Sequence, residues 1–414
     1  MKRILIINTS ERTGGAAIAA NRLMNALKKH GYQASMLVRD KQTPDISVSA
    51  TGTKVMMAVR FLWERLLAFF ATGRNRAQMW QMDFGCAGTD ITKTDEFQRA
   101  DVIHLHWVNQ GFISVKGLKK IVNSGKKVVV TMHDMWYFTG GCHYAGECDK
   151  FQSLCQNCPL AHKRFLGRDL VKRSFNKKKG LFKDVRFVGC SEWITGEAAK
   201  AAITRENFPV HIPNAINTDL FAPNDKKKSR IKFGLHDDRI YLLFGSQRIT
   251  DERKGFTYMV EASEYIKREN PELASRITVV VAGTDSDRVK ELLPLEVVSV
   301  DYVHDEQSMA DLYNAVDIYV TPSLQDNLPN TIMEAMACGL PCVGFRVGGI
   351  PEMIEHKQTG YVAEYKNSQD FATGIAWILE GDNLETLGKH AREKVEREYS
   401  ESRVVRKYSE IYGE

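Results

Sequence analysis

Residues 321–354 read TPSLQDNLPNTIMEAMACGLPCVGFRVGGIPEMI, and the fold of the whole chain is read outward from them. A short apolar run at 318–321 meets a turn rich in Pro and Asn. An alanine- and methionine-rich helical pattern follows, then a second β-type run at 341–345 and a Gly-Gly turn. Strand, loop, helix, strand is the repeating unit of an open α/β sheet. The loop holds Asp326 and the first helical turn holds Glu334. Ligands of such sheets bind beyond the carboxyl ends of the strands, where both carboxylates are expected. Each also has a plainer reading: Thr331 to Glu334 has the spacing of a capping box, and Asp326 suits an Asx turn.

The same alternation precedes this stretch, with β-type runs at 240–245, 277–283 and 297–300. After the first comes SQRITDERKGF, which places Arg248, Arg253 and Lys254 close together. Arginine offers a planar fork to phosphate oxygens and lysine a mobile point charge, so the cluster reads as a pyrophosphate site or as a solvated loop. Cations for a diphosphate beside carboxylates for sugar hydroxyls make a coherent nucleotide-sugar site.

The N-terminal half has its own series, with strands expected at 3–8, 101–106, 127–132 and 185–190. At 414 residues the chain exceeds one ordinary core. Two α/β domains are expected, 1–210 and 211–384, with the Pro- and Asn-rich segment 210–223 as their connection and a charged helix at about 385–414 packing back on the first. Gly14 and Gly15 form a turn before a helical pattern at 16–30, and glycines there let backbone N–H groups approach an anion. No GxGxxG follows a strand, which argues against a nicotinamide-dependent oxidoreductase. Two strands end in histidine, at His104 to His106 and at His133 with Asp134, on the expected ligand edge.

Cys142, Cys148, Cys155 and Cys158 fall within seventeen residues. A structural zinc knuckle, free thiols packing a loop, and a redox pair are the three readings. In residues 54–70 apolar side chains cover nearly the whole helical circumference, leaving a narrow polar stripe at Arg60, Glu64 and Arg65. That suits an interior helix or one lying in a membrane interface. Residues 162–186 hold ten Lys or Arg against two Asp, a patch for phosphate or an anionic membrane surface, or simply a solvated face.

A hydrophobic fraction of 43% and a charged fraction of 26% are those of a soluble globular protein. No run reaches the roughly 18 apolar residues of a membrane span, and the opening apolar run is too short for a signal peptide. The expected location is the cytoplasm, with peripheral contact at the inner face of the cell membrane. No nucleic-acid partner is expected.

Taken in order, these motifs resemble the retaining glycosyltransferases of the GT-B fold, in particular glycosyltransferase family 4 (group 1). That family's pattern runs Pro-Ser-x-x-Glu-Gly-Phe-Gly, four residues, Glu-Ala, then Gly-x-Pro-Val and a Gly-Gly turn before Glu. The similarity covers nearly the whole chain, including the Gly14-Gly15 turn, the connector IPNAINTDLF, and Arg248 and Lys254 six apart. The stretch HDMWYFTGGCHY with its following cysteines is similar to bacterial enzymes that build surface polysaccharides.

The resemblance implies two doubly wound Rossmann-like domains facing across a cleft, the first taking the acceptor and the second the nucleotide sugar. It implies that Glu334 binds the ribose, with Asn330 and Thr331 beside it. Asp326 would hold the transferred sugar, while Arg248 and Lys254 neutralise the diphosphate. Gly14 and Gly15 would approach the same phosphates, and His133 would contact the sugar near the reacting carbon. The donor would be a UDP- or GDP-sugar, the acceptor a glycan or polyprenyl-diphosphate-linked glycan, and no cofactor would serve catalysis. The chain departs from the pattern at Asp326 for glutamate, at Asn327, Leu328 and Pro329 for Gly-Phe-Gly, and at Gln247 for glycine. A nucleotide-sugar epimerase of the same fold and a non-catalytic nucleotide-sugar binder are the competing readings.

Overall fold

The computed structural model describes residues 2–161, 163, 165, 167–380 and 383–413. His162 and Arg164 of the basic segment lie outside the described residues. The chain forms two compact units, one of Met1–Asn214 with Val404–Glu414, the other of Ala215–Arg403. Each is a doubly wound α/β unit built on a parallel sheet.

The first unit carries β1 (Arg3–Ser10), β2 (Gln33–Asp40), β3 (Val48–Ala50), β4 (Val102–Leu105), β5 (Lys127–Met132), β6 (Arg186–Gly189) and β7 (Val210–His211). Their spatial order is β3-β2-β1-β4-β5-β6-β7. Every residue of β1 after Arg3 is buried. A central parallel strand is covered on both faces, so its sequence is a continuous apolar run rather than an alternation. The chain order reverses between β1 and β4, and helix α1 (Gly15–Lys29) begins just beyond β1.

The second unit carries β8 (Ile240–Arg248), β9 (Ile277–Thr284), β10 (Glu296–Val300), β11 (Ile318–Thr321), β12 (Cys342–Phe345) and β13 (Gly360–Ala363), in the order β10-β9-β8-β11-β12-β13. Its core is aliphatic, with Leu242, Val279, Val281, Val320 and Val343 among its fully buried residues. Here the order reverses between β8 and β11. Such a reversal, at the carboxyl ends of the strands, is the usual ligand position in open α/β sheets. Within this unit, Arg392 on helix Asn383–Glu398 donates to the carbonyls of Thr218, Phe221 and Ala337 and so anchors the segment that follows Ala215.

Helix α2 (Lys54–Ala71) is not the interior helix, one of the two expectations for it. Glu64 and Arg65 of its polar stripe turn inward. Glu64 and Arg65 are 0% and 5% exposed, whereas Val55, Val59, Leu62, Trp63 and Leu66 are among the most exposed apolar residues of the chain. Long-range partners fix this orientation. The Glu64 Oε1 accepts from the Ala87 amide at 2.6 Å. The Arg65 guanidinium pairs with Asp83 at 2.9 Å and donates to the carbonyls of Met79 and Met82.

The basic segment is also only partly a solvated face. On helix Leu170–Lys178, Lys178 is fully buried; its ammonium donates to the Trp136 carbonyl at 2.6 Å and sits 4.0 Å from the Trp136 ring centroid. Burial lowers its pKa to about 8.

Candidate functional site

In the second unit the loops after β8 and β11 meet through backbone and side chain together. The Leu324 amide donates to the Arg253 carbonyl at 2.7 Å. Gly255, with φ of +71°, lies so close to Pro322 that a Cβ there would stand 1.9 Å from the Pro322 carbonyl oxygen. Gly348, at φ +55°, approaches Asp326 likewise, its absent Cβ 1.8 Å from the Asp326 carbonyl oxygen. The Gly-Gly turn of the signature thus braces the loop that carries Asp326. Only glycine combines that backbone conformation with that approach.

Across this junction the Lys254 ammonium meets the Asp326 carboxylate at 2.6 Å. The other Asp326 oxygen accepts from the Asn327 amide at 3.1 Å. Arg248 stands at the end of β8, largely exposed, with Nε 3.1 Å from the Thr250 hydroxyl and 3.6 Å from Asp285. Arg253 turns instead onto Asp251, 2.6 Å away.

Helix Asn330–Ala337 starts behind this loop with Pro329 as N-cap. The capping-box reading is corrected: no side chain caps the helix, because Thr331 already lies within its first turn. Pro329 fits the entry position, where φ near −64° is wanted and no N–H is needed. Glu334 is 6% exposed and accepts a hydrogen bond from the Tyr313 hydroxyl at 2.9 Å. Burial first, then the Glu334 charge, pushes the Tyr313 hydroxyl well above its ordinary pKa, so it stays a donor. Thr331 hydrogen-bonds the Tyr319 hydroxyl, and Asn330 is buried. Lys254, Asp326, Asn330, Thr331 and Glu334 thus stand on two neighbouring loops and one helix start, with Arg248 at the adjoining strand end. A separate depression of about 490 Å³, between Glu261, Arg268 and Ser368, includes none of them.

In the first unit Gly14, at φ +92°, caps α1 with its carbonyl and, being glycine, brings no side-chain cap. His133 follows β5, partly buried. Its Nε2 lies 2.8 Å from His106 Nδ1, with the rings stacked. His104, fully buried, bonds the hydroxyls of Tyr412 and Thr131, each at 2.8 Å. Burial holds all three histidines below their ordinary range, His133 to about 4 against the opposing Asp134 charge and His104 to about 3, with neighbouring rings adding to the effect at His104 and His106. His133 is therefore a neutral imidazole near neutral pH.

Sequence reasoning missed Trp107, Asn109 and His143. The Asp134 carboxylate accepts from Trp107 Nε1 at 2.8 Å, His143 Nδ1 at 2.7 Å and the Trp136 amide at 2.8 Å. It ties the loop of His143 to the sheet edge. Asn109 is buried with both side-chain polar atoms lacking a protein partner, as is His106 Nε2. Nothing in local sequence marks these residues.

The four cysteines of the zinc, free-thiol and redox readings come together around one loop. Among the described residues no group of three or more His, Cys, Asp or Glu is placed to hold a metal ion. Cys142, Cys148, Cys155 and Cys158 line one small apolar pocket with Met82, Phe151 and Val171. Burial pushes the Cys142 thiol to about 12 and Cys155 to about 11, and raises Cys158.

Two parallel doubly wound units with these strand orders define the GT-B class. HepE of Anabaena, solved with UDP and glucose, superposes with a TM-score of 0.66 over 99% of each chain at 16% identity. A glycosyltransferase from Rickettsia africae does so at 0.65 over 99% of this chain and 98% of its own, at 17% identity. Residues 239–381 match the family described as Glycosyl transferases group 1, so the second unit carries a group 1 glycosyltransferase domain. N-acetyl-alpha-D-glucosaminyl L-malate synthase of Bacillus anthracis is 26% identical over 48% of this chain and 52% of its own length. D-inositol 3-phosphate glycosyltransferase 2 of Catenulispora acidiphila is 31% identical over 44% of this chain and 45% of its own. The chain spans about half the length of the curated relatives it matches.

Proposed function

We propose that the protein is a retaining glycosyltransferase that moves a sugar from a nucleotide-diphosphate sugar to a glycan or lipid-linked glycan acceptor. The observation that carries this reading is the placing of Arg248, Lys254, Asp326 and Glu334 around the β8/β11 switch point, cations beside carboxylates. The group 1 domain and the UDP-bound neighbour HepE support the donor class.

Glu334, already oriented by Tyr313, receives the ribose hydroxyls, and Asp326 the hydroxyls of the sugar. Arg248 and Lys254 take the diphosphate. As the bond from sugar to phosphate breaks, negative charge grows on the leaving diphosphate, and fixed cations stabilise it where it develops. The acceptor oxygen bonds to the same face of the sugar carbon, and its proton passes to a departing phosphate oxygen. No protein base is then required. The neutral His133 offers hydrogen bonding to the sugar without adding charge. The acceptor belongs to the first unit in this reading, and surface polysaccharide synthesis is its setting.

A panel of UDP- and GDP-sugars scored for thermal stabilisation tests the donor assignment, because a ligand bound to the folded chain raises its apparent stability. One nucleotide class is expected to stabilise, with Lys254→Ala and Glu334→Ala abolishing most of the shift. A panel with no stabilising member refutes the reading. Free or isomerised sugar without transfer would favour the epimerase.

A further inference from the structure

Helix α2 is amphipathic in the wrong sense for a protein surrounded by water. Val55, Val59, Leu62, Leu66 and Phe70 follow one another at spacings of three or four, which is one stripe on a helix. Their exposures are 74%, 61%, 63%, 43% and 37%. Met56 and Trp63 widen the stripe, and Trp80, 49% exposed, adjoins it through its ring contact with Phe61 at 6.3 Å. Eighteen residues make the helix about 27 Å long, so the apolar surface is continuous over that length. Surfaces of this kind mark interaction sites.

The inward face explains why the stripe cannot simply turn away from water. Rolling α2 would strip Glu64 from the Ala87 amide and Arg65 from Asp83 and two carbonyls, leaving the buried Asp83 carboxylate without its cation. Polar side chains are thus spent on the interior, and the apolar ones are held outward.

Charge identifies the occupant. Between residues 46 and 89 the only carboxylates are Glu64 and Asp83, both buried, whereas Lys54, Arg74 and Arg76 are exposed. The Arg74 guanidinium lies over the Phe70 ring at 5.9 Å. At the same end the Lys163 amide donates to the Ala71 carbonyl and Phe165 packs on Phe70 at 6.2 Å, which brings the exposed Lys163 to the rim. Arg168, Lys172 and Arg173 follow, all exposed.

We propose that α2 lies in the interface of an anionic lipid bilayer, its apolar stripe among the acyl chains and this cationic rim on the headgroups. Half-exposed tryptophans suit that depth, with an apolar ring body and a polar N–H. A second copy fits worse, because a two-fold contact would bring together exposed cations, Lys54 at one end of α2 and Arg74 and Arg76 at the other, with no exposed carboxylate between residues 46 and 89 to face them. Among the described residues no helix is long and apolar enough to cross a membrane, so the helix would lie in the plane. The inference deepens the lipid-linked acceptor reading above, and it stands on its own surface.

Co-sedimentation of the full chain with vesicles tests it, comparing phosphatidylcholine alone with phosphatidylcholine plus phosphatidylglycerol. Binding is expected to the anionic vesicles and to weaken with salt. The Leu62→Glu/Leu66→Glu variant should lose about tenfold or more in partitioning. Arg74→Ala/Arg76→Ala should lose about fivefold per cation. All four residues are exposed or at the surface, and an unchanged thermal midpoint confirms that each variant folds. Absence of binding to anionic vesicles overturns the proposal, as does undiminished binding by Leu62→Glu/Leu66→Glu. A concentration-dependent dimer that this variant abolishes, without vesicle binding, would give the face to a second copy and equally overturn it. The nucleotide-sugar panel is read separately. If no donor stabilises the chain while vesicle binding holds, the transferase reading fails and bilayer docking stands.

Discussion

Asp326→Asn separates the two duties assigned to the donor pocket. Lys254 is held by Asp326 at 2.6 Å, so a diphosphate must compete with a carboxylate for the ammonium. The Lys254 and Asp326 side chains are 30% and 16% exposed, which screens the pair and makes it worth about 1 kcal/mol. Asparagine keeps the shape and removes the competing charge. The nucleoside diphosphate alone should therefore bind about fivefold more tightly to Asp326→Asn than to the wild type. The sugar nucleotide meets the opposite effect, because a hydrogen bond between a sugar hydroxyl and a charged carboxylate contributes roughly 1.5–3 kcal/mol. The advantage of the sugar nucleotide over the bare diphosphate should accordingly fall by at least about tenfold, even as the diphosphate binds better. Titration calorimetry with UDP or GDP, whichever stabilises the chain, and with its sugar derivative reads both terms. Equal weakening of the two ligands would show that Asp326 only supports the loop, and the reasoning would fail.

Gly348→Ala should perturb the same term from a distance, since its Cβ would press on the Asp326 carbonyl from a left-handed backbone position; a loss of sugar advantage with diphosphate binding retained is expected, and unchanged affinity for both ligands counts against the bracing role. Glu64→Gln concerns α2. Burial and the Asp83 charge push the Glu64 carboxyl up to about 8. A raised folded pKa gives stability that is complete below the unfolded value of about 4.5 and is lost as pH climbs through 8. The glutamine variant should thus gain on the wild type as pH rises across that window, by an order of 3 kcal/mol at pH 7, and a pH-independent difference in thermal midpoint would refute the assignment. The buried histidines act at the other end. His104, His106 and His133 have depressed values, so their contribution is whole above about pH 6.5 and drains away as pH falls towards 4 and then 3. Keeping the His104 ring neutral at pH 5 costs about 2 kcal/mol. Thermal unfolding should shift sharply down between pH 6.5 and 4, with His104→Gln flattening the slope; an unchanged slope in that variant would remove His104 from the cluster.

Much of the parallel architecture was legible because the signal is local. β1, β5, β9 and β11 are unbroken apolar runs bounded by turn residues, and their buried positions match those runs. β2 escaped because QASMLVRD mixes polar and apolar residues, with only Met36, Leu37 and Val38 as an apolar run. β3, β7 and β13 are two to four residues long, too short for periodicity to register, and are strands only through the neighbours they pair with. In the second unit the site was readable for the same reason. Its cations follow one strand and its carboxylates the next in space, so chain order alone brings the two loops together once the strands are placed. In the first unit it was not: His104 is positioned by Tyr412, some three hundred residues away.

Helix α2 shows what pattern reading lacks. Periodicity identifies that one face of a helix differs from the other, but the direction in which the polar face points is a long-range fact. Here one buried cation, Arg65, faces two buried carboxylates, Glu64 and Asp83, and neutralises Asp83 directly. The second carboxylate is accommodated by backbone amides and by retaining its proton, which is why its pKa rises. That arrangement can be closed only from the inside of the unit, where Ala87 and Asp83 lie, and closing it obliges the apolar residues to face outward. The buried charge group and the exposed apolar stripe are therefore one feature. A perturbation that frees Glu64 from the interior should also release α2 from the orientation that bilayer docking requires.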